Sequence, residues 1–500
     1  MSLPTFRLYD SLTREVKPLE TQESGHLKFY TCGPTVYSYA HIGNFRSFLT
    51  ADLVVRTAAT LGIRTTWVTN ITDVGHLTQD DVADAGGEDK MERALRSKEG
   101  EAFHNVWELA EFYTAAYEED WARLNLTTPD IRPKATQHVS EQIRATNELI
   151  EKGFAYETPT GVYFSVSAFP DYGKLSGNTQ DALRSGTREV VQDDNKRDGA
   201  DFALWKKDEG HLMQWFSPFG WGFPGWHIEC SVMARQYLGD TLDLHSGGED
   251  NAFPHHECEI AQSESLTGKT FSNHWLHTRF LQVNGAKMSK SQGNFYTVRG
   301  LAESDPRDML ALRYALIAGV FGKPLNFTDS SFADAKTNVD RLQRALMLAK
   351  GATGDGPDEL SATLNPIGDD LREAMANNLN TPVALAKTLE GARHISRASE
   401  GLSAASGEAA VRFLTLANDL LGVIEHRPEH AHLLGLDRET IAAETVPTVD
   451  ETRILAAIKE RKSAKAAKEW AKADAIRADL ATDGIVLTDH PDGSVTWAMA

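Results

Sequence analysis

Apolar and polar positions first alternate at Leu27, Phe29 and Thr31, the pattern of a short half-buried strand that ends at Cys32-Gly33-Pro34. Ile42, Phe45, Phe48, Leu49, Leu53 and Val54 then recur at helical spacing, and Gly62 follows as a stop. Thr65-Thr66-Trp67-Val68-Thr69 reads as a second strand. Strand, helix and strand in that order make a βαβ unit, the opening of a parallel α/β sheet. Ligands of such sheets sit at the carboxyl ends of the strands, beside helix N-termini.

The pattern changes from about residue 100. The segment to about 207 reads as an insertion, with an aromatic-rich helix (Phe103, Val106, Trp107, Ala110, Tyr113, Tyr117), a second helix near Glu141–Ile150, and a hairpin at Thr158-Pro159-Thr160-Gly161. Dense Gly, His and Trp usage returns from Trp205 to about Asn294, including an apparent strand Phe280-Leu281-Gln282-Val283. Past Arg299 the spacing is helical. Linkers rich in Gly, Asp and Pro fall near 351–358 and 426–449. A small terminal unit follows, with one long helix expected from about Glu451 to Ala481 and two short strands, Ile485-Val486-Leu487 and Ser494-Val495-Thr496-Trp497. The expected architecture is α/β: a Rossmann-like parallel-sheet catalytic domain (1–100 and 205–300), a connective insertion (101–204), a stem-contact region and helical bundle (301–430), and a small C-terminal α/β unit (450–500).

Bulk properties narrow the setting. A chain of 500 residues with 41% hydrophobic content calls for two to four cores. No basic segment leads into an apolar run at the N-terminus, and no stretch is apolar enough for a membrane helix. Three scattered cysteines, Cys32, Cys230 and Cys258, do not make a disulfide framework. A cytoplasmic protein with no membrane partner is expected. The net charge of −20 argues against a nucleic-acid partner for the chain as a whole. One region reverses the sign: Arg453, Lys459, Arg461, Lys462, Lys465, Lys468, Lys472 and Arg477 face only Glu460, Glu469 and Asp474. On charge alone this is a solvated helix face.

Two short motifs carry chemistry. His41-Ile42-Gly43-Asn44 stands at the start of the first helix, where unpaired N–H groups and the dipole favour anions. Lys287-Met288-Ser289-Lys290-Ser291 places two cations three residues apart, suited to a polyphosphate. Alone, the first reads as a helix cap and the second as a surface loop. In this order they resemble the signature motifs of class I aminoacyl-tRNA synthetases, usually His-Ile-Gly-His and Lys-Met-Ser-Lys-Ser. Asn44 replaces the usual second histidine; it keeps a donor of similar reach but cannot become cationic.

A third constellation has metal-ligand character. Cys32 ends the first strand, Cys230 lies in Gly225-Trp226-His227-Ile228-Glu229-Cys230, and His255 and Glu259 stand at i and i+4. Two thiolates, an imidazole and a carboxylate suit a four-coordinate zinc site, although by spacing Cys258 competes with Glu259. His227, His245 and His256 lie near these positions, as orienting hydrogen-bond partners or as core.

The stretches 31–37, 224–230 and 253–257 resemble cysteinyl-tRNA synthetases, and the likeness runs along nearly the whole chain. The resemblance implies zinc ligands Cys32, Cys230, His255 and Glu259, one Zn2+ per chain, and Mg2+ with ATP. It implies ATP contacts from His41, Gly43, Asn44, Lys287, Ser289 and Lys290, with His41, Asn44, Lys287 and Lys290 in the catalytic part. Thr72, Trp226 and Asp250 are implied for the amino-acid pocket, and Trp470, Asp474 and Asp489 for anticodon contacts. The implied partners are ATP, L-cysteine and tRNA(Cys), acting on a monomer. Zinc has a reason to be there: serine and cysteine differ by one atom, and a thiolate is the softer ligand. The chain departs from the family pattern after Asn70-Ile71-Thr72-Asp73, where Val74-Gly75-His76-Leu77-Thr78 follows with extra acidic and Gly residues. It departs again at Ala376-Asn377-Asn378, in place of an acidic run. Two rival readings are a ligase passing activated cysteine to a small amine, which lacks the terminal unit, and a zinc-dependent nucleic-acid-binding protein, which leaves both ATP motifs unexplained.

Overall fold

The computed structural model describes residues 3–499 apart from 80–82, 85, 179–194, 289–293, 303–307, 399–401, 431–450, 468, 483–484 and 490–494. It forms two compact units, Met1–Leu434 and Gly435–Ala500.

The first unit is built on the expected βαβ start. His26–Thr31 and Arg64–Thr69 pair in parallel, and the helix Ile42–Thr60 connects them. Its apolar positions Ile42, Phe45, Phe48, Leu49, Leu53 and Val54 are all buried. Two further parallel strands, Leu244–Gly248 and Trp275–Thr278, extend the sheet on the other side of the first strand. The sheet order therefore departs from chain order beside His26–Thr31, and the connections leave in opposite directions there. That is the point at which open α/β sheets bind ligands.

The insertion contributes an antiparallel sheet ordered 215–217, 220–224, 202–207, 161–164 and 155–157. The strands Phe202–Lys207 and Gly220–Pro224 belong to it, so this sheet runs past residue 204 to the edge of the Trp226 helix. Helices Asp329–Lys350, Ser361–Ala376, Thr381–Arg397 and Ala404–Leu421 pack as a bundle beyond it. Among the described residues no helix is long and apolar enough to cross a membrane.

The second unit differs from expectation in one respect. The single long helix is two, Glu451–Ala466 and Trp470–Thr482, packed on each other. No Gly or Pro marks the break, and helical periodicity alone does not reveal a turn between two segments of the same character. The strands Ile485–Asp489 and Val495–Met499 pair antiparallel as expected, and Leu480 and Leu487 form a small core with Ile458 and Ile476. Arg461, counted above with the solvated basic face, is buried.

Candidate active site

Cys32 follows the first strand directly, and its N–H donates to the Ser246 carbonyl at 3.0 Å, locking it to the neighbouring strand. On the other side Gly33 packs against the end of the strand Arg64–Thr69: a Cβ there would lie 1.7 Å from the Asn70 carbonyl oxygen, so only glycine fits. Cys230 stands in the helix Trp226–Leu238, and His255 and Glu259 flank the start of Glu257–Thr267. The four side chains are buried, with donor atoms within 4.8 Å of one another.

Cys32 Sγ lies 4.0 Å from Cys230 Sγ and 3.5 Å from Glu259 Oε1; His255 Nε2 lies 3.4 Å from Cys230 Sγ and 3.1 Å from Glu259 Oε1. A tetrahedron with Zn–S of about 2.3 Å and Zn–N or Zn–O of about 2.1 Å has edges of roughly 3.3–3.8 Å. The observed edges bracket that range, and the donor types suit zinc. Of the two neighbours, Glu259 converges with the other donors, whereas Cys258 Sγ lies 3.5 Å from the Tyr172 hydroxyl, outside the quartet.

A shell of histidines surrounds the four. His245 Nε2 is 2.8 Å from Glu259 Oε2, and His227 Nδ1 is 2.9 Å from His255 Nδ1. His256 Nε2 is 3.2 Å from Cys32 Sγ and its Nδ1 is 2.8 Å from His277. His245 and His256 also converge with Cys32 and Glu259 as a second, overlapping donor set. The roles of His277 and of the Ala83 carbonyl, which accepts from His227 Nε2 at 2.9 Å, are invisible in the sequence because neither has a local pattern.

Charges are arranged in opposition. Burial raises the Cys32 thiol, and the adjoining Cys230 raises it further. Burial would raise Cys230 too, but hydrogen bonds from Cys32 and His255 draw it down. His255 is lifted to about 10, against burial, by Cys230 and Glu259. Glu259 is held at about 2, again against burial, by His245 and His255. Negative charge at Cys230 and Glu259 with an imidazolium between them is a site that can exchange protons for a cation.

Of the expected pocket residues, Trp226 and Thr72 lie beside it. Trp226 is half-buried, its ring 4.5 Å from His255. Thr72 is buried and donates to Glu229 Oε1, which also takes a 3.4 Å bond from Asn70 Nδ2. Glu229 is fully buried with its carboxyl pushed up by that burial, and the sequence offered no reason to single it out. Asp250 is exposed, just past the end of Leu244–Gly248.

The histidine motif meets the described part of the lysine motif. His41 is the N-cap of its helix: the Asn44 N–H donates to His41 Nδ1 at 3.1 Å, and the His41 N–H donates to Asn44 Oδ1 at 3.1 Å. With Nδ1 accepting, a neutral His41 carries its proton on Nε2. The Ile42 N–H bonds the Tyr296 carbonyl at 3.0 Å, and a Cβ on Gly43 would lie 3.1 Å from Met288 Cε. Lys287 is exposed, its ammonium 5.7 Å from the Phe280 ring centre. Ser289 and Lys290 lie outside the described residues. In the second unit Trp470 is 59% exposed and Asp474 is exposed; Asp489 ends a strand, its side chain outside the description.

Comparison with known proteins identifies the family. Residues 18–337 match the family model described as tRNA synthetases class I (C) catalytic domain. A Mycobacterium tuberculosis methionyl-tRNA synthetase structure aligns with a TM-score of 0.57 at 14% identity, over 85% of this chain and 96% of that one. A LeuRS from Agrobacterium radiobacter aligns with a TM-score of 0.58 at 11% identity, over 87% and 88%. Fold and family model together define a class I aminoacyl-tRNA synthetase. A cysteine–tRNA ligase of Salinibacter ruber is 53% identical over 99% of this chain and 98% of its own length, and one of Deinococcus radiodurans is 38% identical over 98% and 96%. The chain belongs to the cysteine–tRNA ligases, the enzymes that charge tRNA with cysteine.

Proposed function

We propose that the chain activates L-cysteine with ATP as cysteinyl-adenylate and passes it to tRNA(Cys), with one zinc ion held by Cys32, Cys230, His255 and Glu259. The convergence of these four buried donors is the observation that carries the reading. A zinc ion bound there supplies a soft Lewis-acidic contact that favours a substrate thiolate over a hydroxyl. Trp226 walls the amino-acid pocket, Thr72 lines it, and Asp250 takes the substrate ammonium from its rim.

The cysteine carboxylate attacks the α-phosphate of ATP in line, and pyrophosphate leaves. The helix N-terminus at Gly43, the Nε2–H of His41 and the side chain of Asn44 donate to phosphate oxygens on one side. Lys287, Ser289 and Lys290 stabilise the departing pyrophosphate, whose charge Mg2+ shares. Residues 1–100 and about 225–300 form this catalytic domain, 101 to about 224 a connective insertion with no hydrolytic site, and 301–430 the stem-contact region and bundle. The unit at 450–500 reads the anticodon through Trp470, Asp474 and Asp489. The protein acts as a cytoplasmic monomer.

Zinc content and cysteine-dependent pyrophosphate exchange, measured together, test the ligand set. Cys230→Ser should lose both, while Cys258→Ser should keep both. Loss of the metal in Cys258→Ser with retention in Cys230→Ser would overturn the assignment. Discrimination against serine should be on the order of 10⁴ or more in the native enzyme.

A further inference from the structure

One contact group beside the cysteine pocket is not used by the mechanism above. His76 is the third residue of the stretch Val74–Thr78, in which the chain departs from the family pattern after Asp73. That stretch folds as a hairpin of strands Leu77–Gln79 and Gly86–Asp89, ahead of the helix Lys90–Leu95. The buried His76 ring lies almost parallel to Trp226, with 4.0 Å between centroids and 15° between planes. Its Nδ1 is 2.5 Å from Thr35 Oγ1 and its Nε2 is 2.9 Å from Lys90 Nζ. An ammonium only donates, so Nε2 accepts and the Nδ1–H goes to Thr35. Three partners thus set the tautomer and the plane of the ring.

The hairpin reaches the site at two places. Through His76 it meets Trp226, which contacts His255 at 4.5 Å. Through the Ala83 carbonyl it meets His227, which contacts His255 on the other ring nitrogen. Thr35 is also bridged along the backbone to Thr72, the other residue assigned to the pocket.

We infer that His76 is a positioning residue for cysteine: its stack holds Trp226 in the orientation in which the indole walls the amino-acid pocket. This rests on the reading of Trp226 as the pocket wall. An indole released from the stack gains rotamer freedom, and that freedom must be given up each time cysteine binds. The ATP motifs lie on other segments, so the effect belongs to the cysteine KM.

The test compares His76→Ala, His76→Phe and Trp226→Ala in cysteine-dependent pyrophosphate exchange, with zinc content measured on each. His76→Ala should raise the cysteine KM about three- to tenfold, the scale of one aromatic pair. The ATP KM and the zinc content should not move. His76→Phe keeps a planar ring and should restore most of the loss. A rise in the cysteine KM for Trp226→Ala with none for His76→Ala would overturn the inference and leave the pocket reading standing. No rise for Trp226→Ala would overturn the pocket reading itself. A His76→Phe variant as impaired as His76→Ala would overturn the stacking argument, since its missing hydrogen bonds would then carry the effect.

Discussion

Asp52→Asn should be among the most damaging single-atom changes in the first unit. Asp52 is fully buried in the helix that begins at His41 and Ile42. Its Oδ2 accepts from Arg56 Nε at 2.7 Å and Arg313 Nη2 at 2.5 Å, and its Oδ1 accepts from the Thr127 N–H at 2.7 Å. Both guanidiniums are themselves buried and also bond the last carbonyls of the bundle helix Ala404–Leu421, at Asn418, Asp419 and Leu421. Asparagine keeps the acceptor for Thr127 but removes the charge and turns the other oxygen into an NH2 donor, which faces two buried guanidinium donors and can satisfy neither. Breaking a buried ion pair in this way costs about 3–5 kcal/mol. At about 2.1 cal/mol/K per residue, unfolding Met1–Leu434 carries roughly 0.9 kcal/mol/K, so Tm should fall by about 3–5 °C. Differential scanning calorimetry of the two proteins reads this directly. Burial pushes the Asp52 carboxyl up, but Arg56 and Arg313 more than offset it and hold it far below the usual range. The carboxylate is therefore favoured by folding, and its contribution is complete above the unfolded value. The gap between the two proteins should be full at neutral pH and shrink as pH falls below about 4. A Tm within about 1 °C of the parent at pH 7 would refute the argument.

Two further outcomes follow from the proposed mechanism. Lys290→Ala should lower kcat for adenylate formation by about 10²–10³ with little change in the cysteine KM, and a change confined to that KM would remove Lys290 from the transition state. A chain ending at Leu434, where the first compact unit closes, should keep cysteine-dependent pyrophosphate exchange and lose most tRNA charging. Equal charging by the shortened and full chains would rule out a tRNA-reading role for the terminal unit.

Local periodicity determined much of this protein without any structure. The strand at His26–Thr31, the helix after His41 and the strand at Arg64–Thr69 were legible because burial on one face writes a period of two or 3.6 into the residues. The histidine motif was legible as a helix start, and His41 is indeed the N-cap of its helix. Tertiary structure decided what local spacing leaves open. Cys258 and Glu259 are adjacent in the chain, yet one turns toward Tyr172 and the other toward Cys32, a choice made by the docking of their helix. The break between Ala466 and Trp470 depends on two helices folding back on each other, not on a stop residue. The contacts of His76 with Trp226 and of His227 with Ala83 join segments far apart in sequence. The order of the parallel strands brings them together, and no period along a chain encodes the order in which strands lie side by side.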